Sequence, residues 1–237
     1  MRSIKLLVAM LLIASATFAQ TTTKPKTTTT AKPATTAVKG RLVQITTDYG
    51  VMIVRLYDST PLHRDNFIKL VKDGFYDSLM FHRIIQTFMI QGGDPDSKEA
   101  PQGQQLGAGS APGDRIPAEF RNNYIHKKGA LAAARDDNPE KASSNCQFYI
   151  VQGQTFNDTT LNEMECAVRQ NNPGFTYSPA ERKTYKTIGG TPFLDQNYTV
   201  FGEIVKGLDV LDKIAALPKD QNDRPLQDVR MKMKMLN

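Results

Sequence analysis

The sequence predicts a mainly β domain: an antiparallel barrel capped by two helices and interrupted by a helical insertion. Three observations carry that expectation. Short runs rich in β-branched residues recur from residue 42 to the end of the chain. Two amphipathic helical stretches lie far apart, near residues 60–74 and 207–217, so strands and helices do not alternate as a parallel βαβ sheet requires. A polar segment, residues 153–190, breaks the strand pattern and holds two further helix-like stretches.

Taken in order, the 237-residue chain opens with Arg2 and Lys5 ahead of an apolar run over residues 6–18. That run is shorter than the ~20 residues a spanning helix needs. With Thr17 and Ala19 before Gln20, residues 1–19 read as an export signal. No later stretch is long and apolar enough to span a membrane, so no stable membrane insertion is expected after signal cleavage. Residues 20–40 hold nine Thr, with Lys, Pro and Ala making up most of the rest. Such a composition buries too little apolar surface to offset the ordering of its backbone, and a disordered tether is expected. A bacterial periplasm fits the Ala19-Gln20 cut and the tether.

Arg2, Lys5, Lys24, Lys26, Lys32 and Lys39 stand with no acid before residue 41, which accounts for the whole net charge of +6. Residues 41–237 are therefore near neutral. Nucleic acid is not an expected partner, since its recognition needs a basic face on the folded domain.

Within 41–237, a length suited to one domain, residues 42–47 and 51–57 read as strands joined by the turn Asp48-Tyr49-Gly50. A helix follows, with Thr60 as N-cap, Pro61 in the first turn and Gly74 at its end, and with Phe67, Leu70 and Val71 on one face. Residues 80–92 read as two strands around Gln86-Thr87. The Gly-rich stretch 94–113 lacks a phosphate-binding spacing and reads as a surface loop stitched down by backbone contacts. Residues 130–134, 147–151 and 199–205 read as strands. The helix of 207–217 carries Val210, Leu211 and Ile214 on one face and stops at Pro218, and residues 226–236 read as a closing strand. In the insertion, one helix is expected after Thr160 and another after Ser178, with Pro179 in its first turn. The segment is either a packing flap or a lid or client-contact surface.

Cys146 and Cys166 are the two cysteines. In an oxidising compartment a bridge would close a loop of about 20 residues, for roughly 3 kcal/mol on the chain-entropy estimate. Two buried free thiols fit the sequence equally well. Neither cysteine has zinc-site spacing, and the three histidines do not cluster with them. Neither G-x-S-x-G nor H-E-x-x-H occurs, so neither a hydrolase nor a metalloenzyme is supported, and no cofactor is expected.

The most informative stretch is Phe81-His82-Arg83-Ile84-Ile85-Gln86-Thr87-Phe88-Met89-Ile90-Gln91-Gly92-Gly93-Asp94. It sets one permanent cation, Arg83, and a neutral amide, Gln91, among mostly apolar residues, without a thiol. That suits polarising a neutral group better than forming a covalent intermediate. The string resembles the signature of cyclophilins, the peptidyl-prolyl cis/trans isomerases. The resemblance extends in family order through Asp65-Asn66-Phe67, Ile116-Pro117-Ala118-Glu119-Phe120, Leu131-Ala132-Ala133-Ala134, Ser144-Asn145-Cys146-Gln147-Phe148-Tyr149-Ile150, Phe193-Leu194-Asp195 and Tyr198-Thr199-Val200-Phe201-Gly202.

The resemblance implies an eight-stranded antiparallel barrel with two capping helices. It implies Arg83 as the catalytic arginine and Gln91 as the residue that positions it. Phe88, Met89, Tyr149 and Leu194 become walls of a proline pocket, and Gln147 a peptide-binding position. Phe193 and Tyr198 belong to the motif that closes the pocket. Ala134, Arg135 and Asp136 fall where the family binds the peptide backbone. His82 is assigned no chemical role.

Three departures stand out. Gln86-Thr87 replaces the family's common Pro-Gly turn, Phe193 stands where many members have Trp, and Tyr198 where many have His. Without the indole N–H, weak cyclosporin binding is expected. The expected function is thus a monomeric, exported peptidyl-prolyl isomerase acting on proline-containing peptides and unfolded exported proteins. The alternative is a non-catalytic peptide-binding or chaperone module on the same barrel.

Overall fold

The structure, a computed structural model, describes residues 40–236. The expected signal, and the expected tether as far as residue 39, lie outside the described residues. Eight strands form one sheet: β1 (Arg41–Thr47), β2 (Gly50–Leu56), β3 (Phe81–Ile85), β4 (Met89–Gly92), β5 (Ala130–Ala133), β6 (Phe148–Val151), β7 (Val200–Lys206) and β8 (Lys232–Met235). Their order is β3-β4-β6-β5-β7-β2-β1-β8, with every pairing antiparallel. The two ends of the sheet meet. Phe81 N donates to Val229 O at 2.9 Å and Met231 N to Leu79 O at 2.8 Å, around a bridge between Met80 and Arg230. The expected closing strand is therefore divided: residues 229–231 close the barrel, and only the last four-residue stretch pairs with β1.

Alternation explains the strands. In β1 the residues Val43 and Ile45 are fully buried while their neighbours are partly exposed, as one face on a core requires. The interior packs Val43, Ile45, Val54, Ile84, Ile90, Leu131, Phe148 and Ile150. Two helices, α1 (Pro61–Lys72) and α4 (Leu208–Ala215), add Phe67, Leu70, Val71, Val210, Leu211 and Ile214 to the same core. Phe67 meets Phe148 and Phe201 edge-on at 5.6 and 5.4 Å between ring centroids. The opposite face of β4, β5 and β6 carries a separate apolar cluster, with Met89, Ala132, Tyr149 and Val151. β5 and β6 are consequently buried on both faces.

Helix α1 begins and ends where expected, but its cap differs. Thr60 makes no capping bond through its side chain. Instead the Glu119 carboxylate accepts from Leu62 N at 3.2 Å and His63 N at 3.0 Å. A carboxylate from a distant segment thus satisfies the orphan N–H groups and complements the helix dipole. At the other end Gly74, at φ 68°, lets Phe75 N reach Leu70 O at 3.0 Å and Gly74 N reach Val71 O at 3.2 Å, a Schellman motif.

The Gly-rich loop is stitched down through its backbone, as expected, and the partners are side chains. Arg224 donates to Pro101 O and Gln104 O, Asn145 pairs with both backbone groups of Ala111, and buried Asp94 accepts from Gly107 N. Residues 153–190 leave and rejoin the barrel at a neck where Gln154 and Gly190 exchange backbone hydrogen bonds. A Cβ on Gly153 would lie 2.4 Å from Gly190 backbone, so the two strands of the neck approach more closely than other residues allow.

Two helices fill the insertion, α2 (Asp158–Asn171) and α3 (Pro179–Thr187). α2 starts earlier than expected, because Asn157 caps it by accepting from Thr160 N at 2.9 Å. α3 starts at the expected Ser178, within a full capping box closed by Glu181. Leu161, Val168, Phe175, Tyr177 and Tyr185 form a small core of their own with Ile125. Buried Glu165 accepts from Tyr177 N at 3.0 Å and Arg182 at 2.9 Å, and it also pairs with Arg169. No helix among the described residues is long and apolar enough to cross a membrane.

Candidate active site

The site is built on one row of cross-strand neighbours. Arg83 faces Gln91 across β3 and β4, Gln91 faces Tyr149 across β4 and β6, and Tyr149 faces Ala132 across β6 and β5. Paired residues of this kind share a face and lie within side-chain reach. Arg83 joins that face because of a bulge. Phe81 pairs with Gly92 while Arg83 pairs with the adjacent Gln91, so His82 is an extra residue in β3. Phe81 and Ile84 both point into the barrel core. Strict alternation from Phe81 would have sent Arg83 inward too, and the bulge re-aims it.

Arg83, Phe88, Met89, Gln91, Ala134, Arg135, Tyr149, Leu194 and Tyr198 line one slot of about 140 Å³. Tyr149 stands at its base, only 4% exposed, with its hydroxyl 2.9 Å from His126 Nε2. Burial pushes the Tyr149 phenol well above its usual value, so it remains protonated. Tyr198 meets the Tyr149 ring edge-on at 5.9 Å, and the Arg135 guanidinium lies 4.8 Å from the Tyr198 ring centroid. Both backbone groups of Ala134 are paired, its N–H with Gln147 O and its carbonyl with Ser144 N. Phe193 does not line the slot. It stands at the lip, 45% exposed, with its ring 5.7 Å from that of Phe88.

A second cavity of about 630 Å³ adjoins the slot and shares Gln91, Ala134 and Arg135 with it. Gln147 lines this cavity rather than the slot, together with residues 107–110, Arg115 and Asp136. Arg115 and Asp136 form an ion pair at its edge.

Gln91 lies opposite Arg83 but gives its amide to Gln147, whose Oε1 it meets at 3.1 Å; Gln147 in turn donates to Gly107 O and Gly109 O. The residue that meets the guanidinium is Asp223, with Oδ2 3.5 Å from Arg83 Nε. The Arg83 side chain remains 40% exposed. Asp223 O also accepts from Ile84 N at 2.8 Å, which docks the 220–224 turn against β3. Sequence reasoning missed Asp223, since nothing local marks it and its role depends on a contact across 140 residues.

His82, the bulge residue, is buried with neither ring nitrogen hydrogen-bonded. Burial is the main force holding its pKa down, to about 4. The expected alternatives for the cysteines both need correction. Cys146 and Cys166 are free, and only Cys146 is buried. Cys146 packs in the barrel core under Ala111 N, whereas Cys166 is exposed on α2, so the two thiols belong to different elements. Among the described residues, no group of three or more His, Cys, Asp or Glu is arranged to hold a metal.

Comparison with known proteins adds a sequence and a structural match. The family model described as cyclophilin type peptidyl-prolyl cis-trans isomerase/CLD matches residues 42–235. A Staphylococcus saprophyticus protein that carries the name peptidyl-prolyl cis-trans isomerase is 34% identical over 197 residues, 82% of this chain and 91% of its own length. A Staphylococcus aureus protein of the same name is 34% identical over 188 residues, 79% of this chain and 87% of its own. A protein of Streptococcus pyogenes serotype M6, named as a bifunctional phosphatase/peptidyl-prolyl cis-trans isomerase, is 36% identical over 193 residues; the match covers 80% of this chain and only 37% of that protein. Among solved structures, a Cryptosporidium parvum cyclophilin type peptidyl-prolyl cis-trans isomerase superposes with a TM-score of 0.59 at 22% identity, covering 83% of this chain and 98% of the other. The same isomerase in the presence of the dipeptide Ala-Pro gives a TM-score of 0.57, with 83% and 99% covered.

Proposed function

The chain belongs to the cyclophilin-type peptidyl-prolyl cis-trans isomerases, and we propose that it turns Xaa-Pro bonds in the slot beside Arg83. The single observation that carries this reading is the row Arg83, Gln91 and Tyr149, which sets the Arg83 guanidinium beside the apolar walls Phe88, Met89 and Leu194 of a slot of one small ring's size. The chemistry asks for little more. Amide resonance opposes rotation by about 18–20 kcal/mol. The small cis/trans gap of Xaa-Pro leaves the unaided turn taking tens to hundreds of seconds. Catalysis then needs neither nucleophile nor metal, only better binding of the twisted amide than of the planar one.

In this reading Phe88, Met89, Leu194, Tyr149 and Tyr198 hold the proline ring while the preceding carbonyl swings. In the twisted amide the prolyl nitrogen regains a lone pair, and Arg83 donates to that nitrogen or to the rotating carbonyl oxygen. Its planar fork stays charged at any working pH. Asp223 meets it at Nε, which leaves the terminal nitrogens for the substrate. Gln91 acts one step away, anchoring the floor beside Arg83 through Gln147 and the Gly-rich loop. The larger cavity takes the peptide flanking the proline, with Arg135 and the Arg115–Asp136 pair selecting among flanking residues.

The physiological substrates in this proposal are proline-containing segments of unfolded exported proteins, met in a periplasm. The basic start and the Thr-rich stretch before residue 41 support that placement. In this proposal the chain works as a monomer. Exchange spectroscopy on a short Xaa-Pro peptide tests the activity. Cis–trans exchange peaks that grow with substoichiometric protein are expected. Peptide shifts without faster exchange would instead assign the chain to the non-catalytic binding module.

A further inference from the structure

The inserted helices reach the proline slot through one buried carboxylate. Asp195 is fully buried and directly follows Leu194, a wall of the slot. Its Oδ2 accepts from the Tyr177 hydroxyl at 2.7 Å and the Tyr185 hydroxyl at 2.6 Å, and both tyrosines belong to the insertion. Its Oδ1 accepts from His126 N at 2.8 Å and lies 2.7 Å from His126 Nδ1. His126 Nε2 in turn meets the hydroxyl of Tyr149 at 2.9 Å, with the two rings stacked at an interplanar angle of 12°. Four donors fill the acceptor positions of one carboxylate. A proton on Nδ1 held by Asp195 leaves Nε2 to accept from Tyr149, so the carboxylate also selects the tautomer that pins the Tyr149 ring.

We propose that Tyr177 and Tyr185 are positioning residues of the proline slot: they fix Asp195, and through it Leu194 on one side and, by way of His126, Tyr149 on the other. The proposal rests on the slot being the proline site. A mere packing flap would need only the apolar contacts of Leu161, Val168 and Phe175. Here two hydroxyls and a carboxylate are desolvated together, which is costly unless each is paired, and the pairing ends on two walls of one cavity.

The test uses the full chain with Tyr177→Phe, Tyr185→Phe, the double variant and Tyr149→Phe. Phenylalanine keeps the ring and its packing and removes only the donor. The slot grips the proline ring in the ground and transition states alike, so loss of both hydroxyls is expected to raise KM about fivefold at nearly unchanged kcat. Adding Tyr149→Phe to the double variant is expected to cost less than it costs alone, because both act on one ring. Imidazole 15N spectra are expected to show His126 with a proton on Nδ1 in the wild type and a mixed tautomer in the double variant. A folded double variant with wild-type KM and an unchanged His126 spectrum overturns the proposal, as do fully additive effects. Should the double variant not fold, each single variant is read by the same two measurements. Should the wild type show no catalysis, the isomerase reading fails alone, and the dissociation constant for the Xaa-Pro peptide with the His126 spectrum still decides the positioning role.

Discussion

The aim of Arg83 depends on the residue before it. His82 takes up the bulge, is buried, and its ring nitrogens find no hydrogen-bond partner among the described residues. Keeping it neutral is the consequence, with its pKa held down to about 4 against an ordinary value near 6.5. Between those values the unfolded chain binds a proton that the folded one refuses, so stability present above pH 6.5 is lost as pH falls toward 4. The loss from His82 is expected to reach about 3 kcal/mol. Burial also lowers the pKa of His63, which adds in the same direction and persists in a His82 variant. Urea unfolding at pH 7 and pH 5 checks this: His82→Gln should flatten the pH dependence without abolishing it, and an equal slope in the variant would contradict the assignment. Phe193 bears on another residue-level expectation. It offers no indole N–H and stands outside the slot, so cyclosporin should bind weakly in a fluorescence or calorimetric titration; nanomolar inhibition would contradict that.

At the scale of elements, the β3–β4 hairpin shows how a departure in sequence is absorbed. The turn keeps its hydrogen bond, Phe88 N to Ile85 O at 3.1 Å, with Thr87 at φ 65°. A β-branched residue in the left-handed region costs roughly 1–2 kcal/mol relative to its preferred wells. The end of β6 holds the turn in place, since Gln152 Oε1 accepts from Thr87 N at 2.6 Å and Phe88 O accepts from Gln152 N at 2.9 Å. Thr87→Gly should therefore stabilise the domain by about 0.5–1 kcal/mol after the added freedom of the unfolded chain is counted. A thermal melt higher by a few degrees, with unchanged peptide isomerisation, is the expected reading. A lower melt would show that the Thr87 side chain contributes more than its backbone costs. In the insertion, the start of α3 was visible in the sequence because its cues, Ser178 and Pro179, are local. The Asn157 cap was passed over because Thr160, three residues on, offers the same chemistry.

For the whole molecule, legibility follows the range of the interactions. Strands such as β1, and the apolar faces of α1 and α4, could be read because alternation and helical period act over a few residues. The slot residues could be named from a resemblance to a family, which already encodes the fold that brings Phe88, Tyr149 and Leu194 together. What escaped rests on contacts across the chain: Glu119 capping α1, Asp223 meeting Arg83, and Asp195 joining the insertion to His126. The bulge at His82 escaped for a different reason, because no residue type in Phe81-His82-Arg83-Ile84 marks an extra strand residue.

The central claim is that Arg83 favours the twisted amide while the slot merely holds the ring. It is tested most directly by comparing the wild type with Arg83→Ala in exchange spectroscopy on one Xaa-Pro peptide, with the dissociation constant measured alongside. Catalysis is expected to fall at least about tenfold while peptide affinity changes little, because the lost donor acts in the transition state. An Arg83→Ala chain that isomerises the peptide as fast as the wild type would contradict it.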